Sequence, residues 1–310
     1  MRSMIFLVLG FVACGSYAAD AVEWEALHAE VERLHREGEY VQAVSAARKA
    51  LQAAEQSRTS DHPDVATSLN SLAMLYSLQG RYAQAEPLLE RALAIFEKSV
   101  GPESSETAAS LNNLAALHRE QGRYAQAEPL LERALAIDEK LLGPEHPSVA
   151  VSLSNLGQLH FAQGRYILAE PLFERALAIL EHALGPRHPD VAVGLNNLAR
   201  LHQAEARYAQ AEPLYKRAFS IARKAFGVDH PRVAMSLNNL GGLYRDQGKF
   251  EHAEPLFRRA LAIAEKSWGS DHPNVATGLE NLAQLYRDIG HADRAAVLEK
   301  RAEGIRRIQR

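Results

Sequence analysis

The stretch Ser110-Leu111-Asn112-Asn113-Leu114-Ala115, followed by Gln121-Gly122-Arg123-Tyr124 and Ala127-Glu128-Pro129-Leu130, decides the fold, because it returns every 42 residues. Leu72, Leu114, Leu156, Leu198, Leu240 and Leu282 keep that spacing, and so do Ala85, Ala127, Ala169, Ala211, Ala253 and Ala295. A fixed period of this length means one supersecondary unit copied and stacked, each copy burying its apolar face against its neighbours.

Within a unit the periodicity is helical. Leu69, Leu72, Ala73, Leu75 and Tyr76 form one apolar stripe, and Ala85, Leu88, Leu89, Ala92, Leu93 and Phe96 form a second. Alanines at 73, 85 and 92 are small where two helices must cross closely. Gly80, Gly122, Gly164, Gly248 and Gly290 stand where the first helix ends, as a left-handed closing residue requires. Ala206 occupies the same place, where a positive φ costs alanine on the order of 1 kcal/mol. Pro63, Pro147, Pro189, Pro231 and Pro273 suit the first position of the next helix. Pro87 and its equivalents are expected near the first turn of the second helix, where a missing N–H costs least, with room for a slight kink. No segment reads as a strand. The expected fold is all-α, with repeats near 22–56, 62–99, 104–141, 146–183, 188–225, 230–267 and 272–308 within a domain of 20–310. The first repeat is degenerate, lacking the Asn pair and the Glu-Pro pair, as terminal repeats often do.

Residues 1–19 read differently. Arg2 precedes the apolar run Met4–Ala13, and small residues follow. This is the layout of a secretory signal peptide, with Ser16-Tyr17-Ala18 as a cleavage site before Ala19. Phe11-Val12-Ala13-Cys14 is the competing bacterial lipobox, which would make Cys14 a lipidated N-terminus. The expectation is an exported chain, periplasmic or secreted, with or without a lipid anchor. Cys14 is the only cysteine, so stability is expected from packing alone. Thirty-five basic residues against 38 acidic ones, interspersed, give no basic face that would favour nucleic acid.

The pattern Leu72, Ala73, Tyr76, Gly80, Tyr82, Ala85, Leu89 and Ala92 resembles the tetratricopeptide repeat. The 42-residue period, the Asn-Asn-Leu-Ala core, the Gly-Arg-Tyr turn and Leu142-Gly143-Pro144-Glu145-His146-Pro147 are similar to the kinesin-light-chain type of that family. The resemblance implies a right-handed superhelical solenoid of about seven helix-turn-helix repeats, whose inner groove binds peptides or helices of partner proteins. A signal peptide before this repeat type resembles a bacterial exported protein.

Helical geometry marks the face a partner would meet. Opposite the stripe of Leu111, Leu114, Ala115, Leu117 and His118 stand Ala109, Asn112, Asn113, Ala116, Arg119 and Glu120. Down the stack this face carries a first column with Asn70, Asn112, Asn196 and Asn238, and a second with Asn113, Asn155, Asn197 and Asn239. A carboxamide both donates and accepts, so such a ladder can satisfy an extended backbone, or equally brace neighbouring helices. Arg119, Arg200, Arg245 and Arg287 add attraction for carboxylates, and Phe161 and Met74 add apolar surface.

Other signals recede. His62, His146, His188, His230 and His272 recur once per repeat, roughly 20 Å apart for helix pairs at 8–10 Å spacing, too far to share a metal. They read as loop residues beside proline. His118, His160 and His202 replace the stripe tyrosine and read as satisfied core residues. Glu86, Glu90, Glu128 and Glu132 read as solvated helix partners of Arg91 and Arg133. The basic last helix, with Arg294, Lys300, Arg301, Arg306, Arg307 and Arg310, reads as a wet capping helix. No nucleophile, phosphate loop, cofactor or metal motif stands outside the repeat. The expected function is a non-enzymatic scaffold that holds a peptide or protein in the groove; the alternative is a structural or self-assembling solenoid of the cell envelope.

Overall fold

The computed structural model describes residues 20–37 and 39–308. The leader with Cys14, and Gly38, lie outside them. Among the described residues there are fourteen helices and no strand. They divide into two compact units at the Gly164–Arg165 turn. The N-terminal unit holds α1 (Asp20–Glu37), α2 (Tyr40–Ser57), α3 (Pro63–Leu78), α4 (Tyr82–Ser99), α5 (Ser105–Glu120), α6 (Tyr124–Leu142) and α7 (Pro147–Ala162). The C-terminal unit holds α8 (Tyr166–Leu184), α9 (Pro189–Ala204), α10 (Tyr208–Phe226), α11 (Pro231–Asp246), α12 (Phe250–Trp268), α13 (Pro273–Asp288) and α14 (Ala292–Ile308). In each unit a helix packs on its partner across the short turn and on the next helix of the chain, the architecture of a repeat solenoid.

The local chemistry explains the regularity. The first helix of a repeat closes in a Schellman turn: Gly80 has φ 72°, its N–H donates to Ser77 O, and Arg81 N–H donates to Tyr76 O at 2.9 Å. Ala206 adopts the same turn at φ 57°, the one positive φ among described non-glycine residues. The recurring histidines are N-caps rather than plain loop residues. Nδ1 of His62, His146, His188, His230 and His272 accepts the backbone N–H two residues on, beside a proline that has none to offer. Ser104 caps α5 in their stead by accepting from Thr107 N–H. Pro87 stands at the sixth residue of α4, deeper than the first turn, yet the helix continues through it. Pro87 and Ala83, the residue whose carbonyl loses its partner, are both exposed, so water can serve that oxygen.

Leucines and alanines of both stripes fill the cores, with Leu69, Leu75, Leu111, Leu117, Leu195, Leu201 and Leu243 almost fully buried. Small and large residues are matched. A Cβ on Gly241 would lie 2.9 Å from the Phe257 ring, so glycine there admits the phenylalanine. Both outer helices exchange apolar packing positions for charge. In α1, Glu23, Glu30 and Arg33 stand where α3 has Val65, Leu72 and Leu75. In α14, Glu299, Glu303 and Arg306 stand where α12 has Phe257, Leu261 and Ala264.

Candidate functional site: the faces of the first helices

In each unit the first helices of successive repeats lie side by side, so the face opposite their buried stripe is shared. The two asparagine columns form one ladder there, because a first-column residue bonds the second-column residue of the following repeat. In the N-terminal unit Asn155 Nδ2 donates to Asn112 Oδ1 at 3.0 Å. Asn112 Nδ2 donates to Ser152 Oγ at 3.0 Å, and Ser152 Oγ donates to Asp138 Oδ2 at 2.6 Å. The chain of donors therefore ends on a buried carboxylate, 5% exposed, in a core position held by Phe96 and Leu180 elsewhere. Burial pushes the Asp138 carboxyl above its ordinary range, against the Ser152 hydrogen bond and the His146 ring, which favour the charge.

The C-terminal unit has the same rung without the anchor. Asn239 Nδ2 donates to Asn196 Oδ1 at 3.2 Å. Ala222 stands where Asp138 would be, and Ser236 turns back to the Arg232 carbonyl. Asn238 Oδ1 and Asn197 Nδ2 are buried without a protein partner, as is Asn70 Oδ1 in the N-terminal unit. Asn113 is half-buried on the same face. Glu280 ends the first column and pairs with Arg306 of α14 at 2.9 Å.

The arginines of this face are engaged by the chain itself. Arg119 donates to Gln158 Oε1 at 2.7 Å and lies 3.3 Å from Glu120. Arg245 pairs with Asp246 at 2.8 Å and faces Asp288 at 3.7 Å, and Arg287 pairs with Glu299 at 2.7 Å. Arg200 is half-buried, and its charge opposes the burial that pushes the Tyr215 phenol up. Phe161 is half-buried at the end of α7. The sequence-based reading placed Ala109 on this face without following its column: Thr67, Ala109 and Val151 in the N-terminal unit, and Val193, Met235 and Thr277 in the C-terminal unit. It lies one turn before the first asparagine column and makes an apolar strip, with Met235 46% exposed. A Cβ on Gly242 would meet only Gln203 Nε2, at 3.8 Å, so the backbone is open there.

The opposite, second-helix face repeats one ion pair in four places, and departs from it at Arg259, which pairs with Asp229 at 3.3 Å because Arg223 stands where the glutamate would be. Arg91 pairs with Glu55 at 2.7 Å and Arg133 with Glu97 at 2.6 Å in the N-terminal unit. Arg217 pairs with Glu181 and Arg301 with Glu265 in the C-terminal unit. These bridges run to the preceding repeat, not to the i±4 glutamates that helical spacing suggested. Exposed pairs contribute about 0–1 kcal/mol each, so they set register more than stability. Among the described residues no group of three or more His, Cys, Asp or Glu is placed to hold a metal, and no helix is long and apolar enough to cross a membrane.

A family model described as tetratricopeptide repeat matches residues 27–98, 106–182, 152–224, 190–266 and 253–308. Nearly identical TPR-like repeats from a candidate kinesin light chain of Podospora anserina are 31% identical, covering 66% of this chain and 98% of that one, with a TM-score of 0.53. BtubC (BKLC) from P. vanneervenii is 26% identical over 74% of this chain and 91% of its own, with a TM-score of 0.59. A Rap protein complexed with competence and sporulation factor is 18% identical over 94% of this chain and 77% of its own; its TM-score of 0.72 shows the shared fold. A search of curated proteins gives no match.

Proposed function

This chain belongs to the tetratricopeptide repeat family, and on that premise we propose that it is a non-enzymatic scaffold that binds a peptide or protein segment on its first-helix faces. One observation carries the reading. The second-helix face repeats an Arg–Glu bridge at Arg91, Arg133, Arg217 and Arg301, with Arg259 paired to Asp229 instead, whereas the first-helix face changes from repeat to repeat around recurring asparagine rungs: Met74, Ala116 and Gln158 in one unit, Arg200, Gly242 and Gln284 in the other. Only unlike residues can distinguish one partner from another. The rungs hold adjacent helices, and the half-buried carboxamides of Asn112, Asn113 and Asn239 can both donate to and accept from a backbone laid along them. The strip of Val193 and Met235 supplies apolar contact.

End-to-end self-assembly finds less support. A second copy stacking on α1 or α14 would bury Glu23, Glu30 and Arg33, or Glu299, Glu303 and Arg306, at positions that are apolar elsewhere. Export rests on the leader sequence, and mass spectrometry of the mature N-terminus distinguishes cleavage after Ala18 from lipidation of Cys14.

The binding reading is tested by affinity capture from envelope extract. Met235→Glu and Met74→Glu are expected to abolish capture of a partner that the Arg91→Ala control still retains, with melting temperatures unchanged. A partner insensitive to both face variants overturns the reading. Asn196→Ala with Asn239→Ala separates the two roles of the rung: lower melting temperature with retained capture makes it a brace alone.

A further inference from the structure

Seams between neighbouring repeats come in two kinds. Where the first-helix stripe ends in tyrosine, the residue 28 positions earlier is basic, as with Arg48 and Tyr76, Lys216 and Tyr244, and Arg258 and Tyr286. Arg48 and Arg258 each donate to the phenol oxygen at 2.7 Å. Tyr286 and Tyr244 in turn donate to Glu254 at 2.8 Å and Glu212 at 3.1 Å. Where the stripe ends in histidine, that earlier residue is acidic: Glu90 for His118, Glu132 for His160 and Glu174 for His202.

The histidine seams are less settled than a satisfied core residue would be. His118 is 6% exposed and faces Glu86 and Glu90 of α4, with Arg123 and Gln121 of the turn beside it. Glu86 is already held by Arg123 at 2.7 Å. In the C-terminal unit His202 faces Glu170 and Glu174 of α8, and Glu205 and Arg207 of the turn. Glu170 lies 2.9 Å from Arg207 Nη1 and 3.7 Å from His202 Nδ1. Nδ1 of both histidines lacks a hydrogen-bond partner. Burial, and then the turn arginine, hold both imidazoles below their ordinary 6.5, while the carboxylates pull the other way.

We propose that the His118 and His202 seams are acid-sensitive joints, in which the protonated imidazole competes with Arg123 or Arg207 for Glu86 or Glu170 and loosens the turn. The tyrosine seams, where the phenol is hydrogen-bonded to a basic side chain or a glutamate, carry no imidazole and hold. The neutral ring is the form the fold favours, so the stability of these turns is full above pH 6.5 and is lost as pH falls below it. The turn itself reports the change, because Arg123 N–H donates to His118 O at 2.8 Å and Arg207 N–H to His202 O at 2.7 Å. Arg81 and Lys249 make the same bond to Tyr76 and Tyr244, which makes them internal controls.

Native-state hydrogen exchange on the full chain tests this. Between about pH 7.5 and about pH 5.5, protection corrected for intrinsic rates is expected to fall by up to about tenfold at Arg123 and Arg207 relative to Arg81 and Lys249. Equal changes at all four turns overturn the proposal. Grafting the tyrosine seam, as His118→Tyr with Glu90→Arg and His202→Tyr with Glu174→Arg, is expected to abolish the difference, and a persisting difference overturns it. Should the grafted chains not fold, the exchange comparison in the unaltered chain decides alone.

Discussion

The N-terminal and C-terminal units carry the same asparagine rung on different foundations. Asn112 is tied through Ser152 to a buried carboxylate, whereas Asn196 bonds only across to Asn239, with Ala222 in the place of Asp138. Asp138 fixes the orientation of the Asn112 carboxamide at the cost of burying a carboxyl group; Ala222 leaves Asn196 freer. One repeat can thus carry the same surface group rigidly or loosely, according to a single core position.

The largest effect expected is in the apolar packing of the C-terminal unit. Phe257→Ala should lower unfolding free energy by about 3–5 kcal/mol in urea titration, because the ring fills the space that Gly241 leaves. Exchanging the two core residues comes next. Ala222→Asp should cost about 3 kcal/mol as a charge placed in an unprepared core. Asp138→Leu, the residue found at position 180, should instead raise stability by about 1–2 kcal/mol at neutral pH. The Asp138 carboxyl is raised above its ordinary 3.8, so its penalty sets in as pH rises through that window; the advantage of Asp138→Leu therefore shrinks as pH falls toward 3.8. Equal stability of wild type and Asp138→Leu at pH 7 would rule out a buried ionised carboxylate.

Turns give a smaller contrast. Ala206→Gly in the C-terminal unit should add about 1 kcal/mol, and Gly122→Ala in the N-terminal unit should remove about as much, both read as shifts of the urea midpoint. The smallest effect at neutral pH is His272→Ser, which copies the Ser104 cap. Burial lowers the His272 ring to about 4, so the stability it contributes is full above pH 6.5 and declines as pH falls toward 4, where the ring protonates and the cap is lost. The serine variant should keep a flatter melting temperature across that range.

The helices and turns were legible because each is specified locally, by a 3.6-residue stripe and, in five of the six fuller repeats each, a closing glycine and an opening proline. Ala206 was read correctly for the same reason. What escaped depends on neighbours 36 to 43 residues away. Arg91 finds Glu55 rather than a glutamate on its own helix, and Asn112 finds Asn155 although the two belong to different columns. Arg287 looked available because its carboxylate partner, Glu299, sits on another helix, whereas Arg119 and Arg245 have a carboxylate at the very next residue, Glu120 and Asp246. Asp138 left a signal that aligning the repeats would have exposed, a lone charge in a column otherwise filled by Phe96, Leu180, Ala222 and Ala264 until Arg306 ends it.

The pairing of tyrosine with a basic residue and of histidine with glutamate also bears on how such a chain can change length. Each repeat carries one half of a seam on its first helix and half of the next on its second. A duplicated copy of residues 104–145 would meet itself through Glu132 and His118, a matched pair. Moved to follow the repeat that ends in Arg258, the same segment would set an arginine against His118. Tandem duplication of the middle repeats is therefore neutral at the joint, whereas recombination between middle and outer repeats is penalised, a filter on insertion that acts before any partner is met.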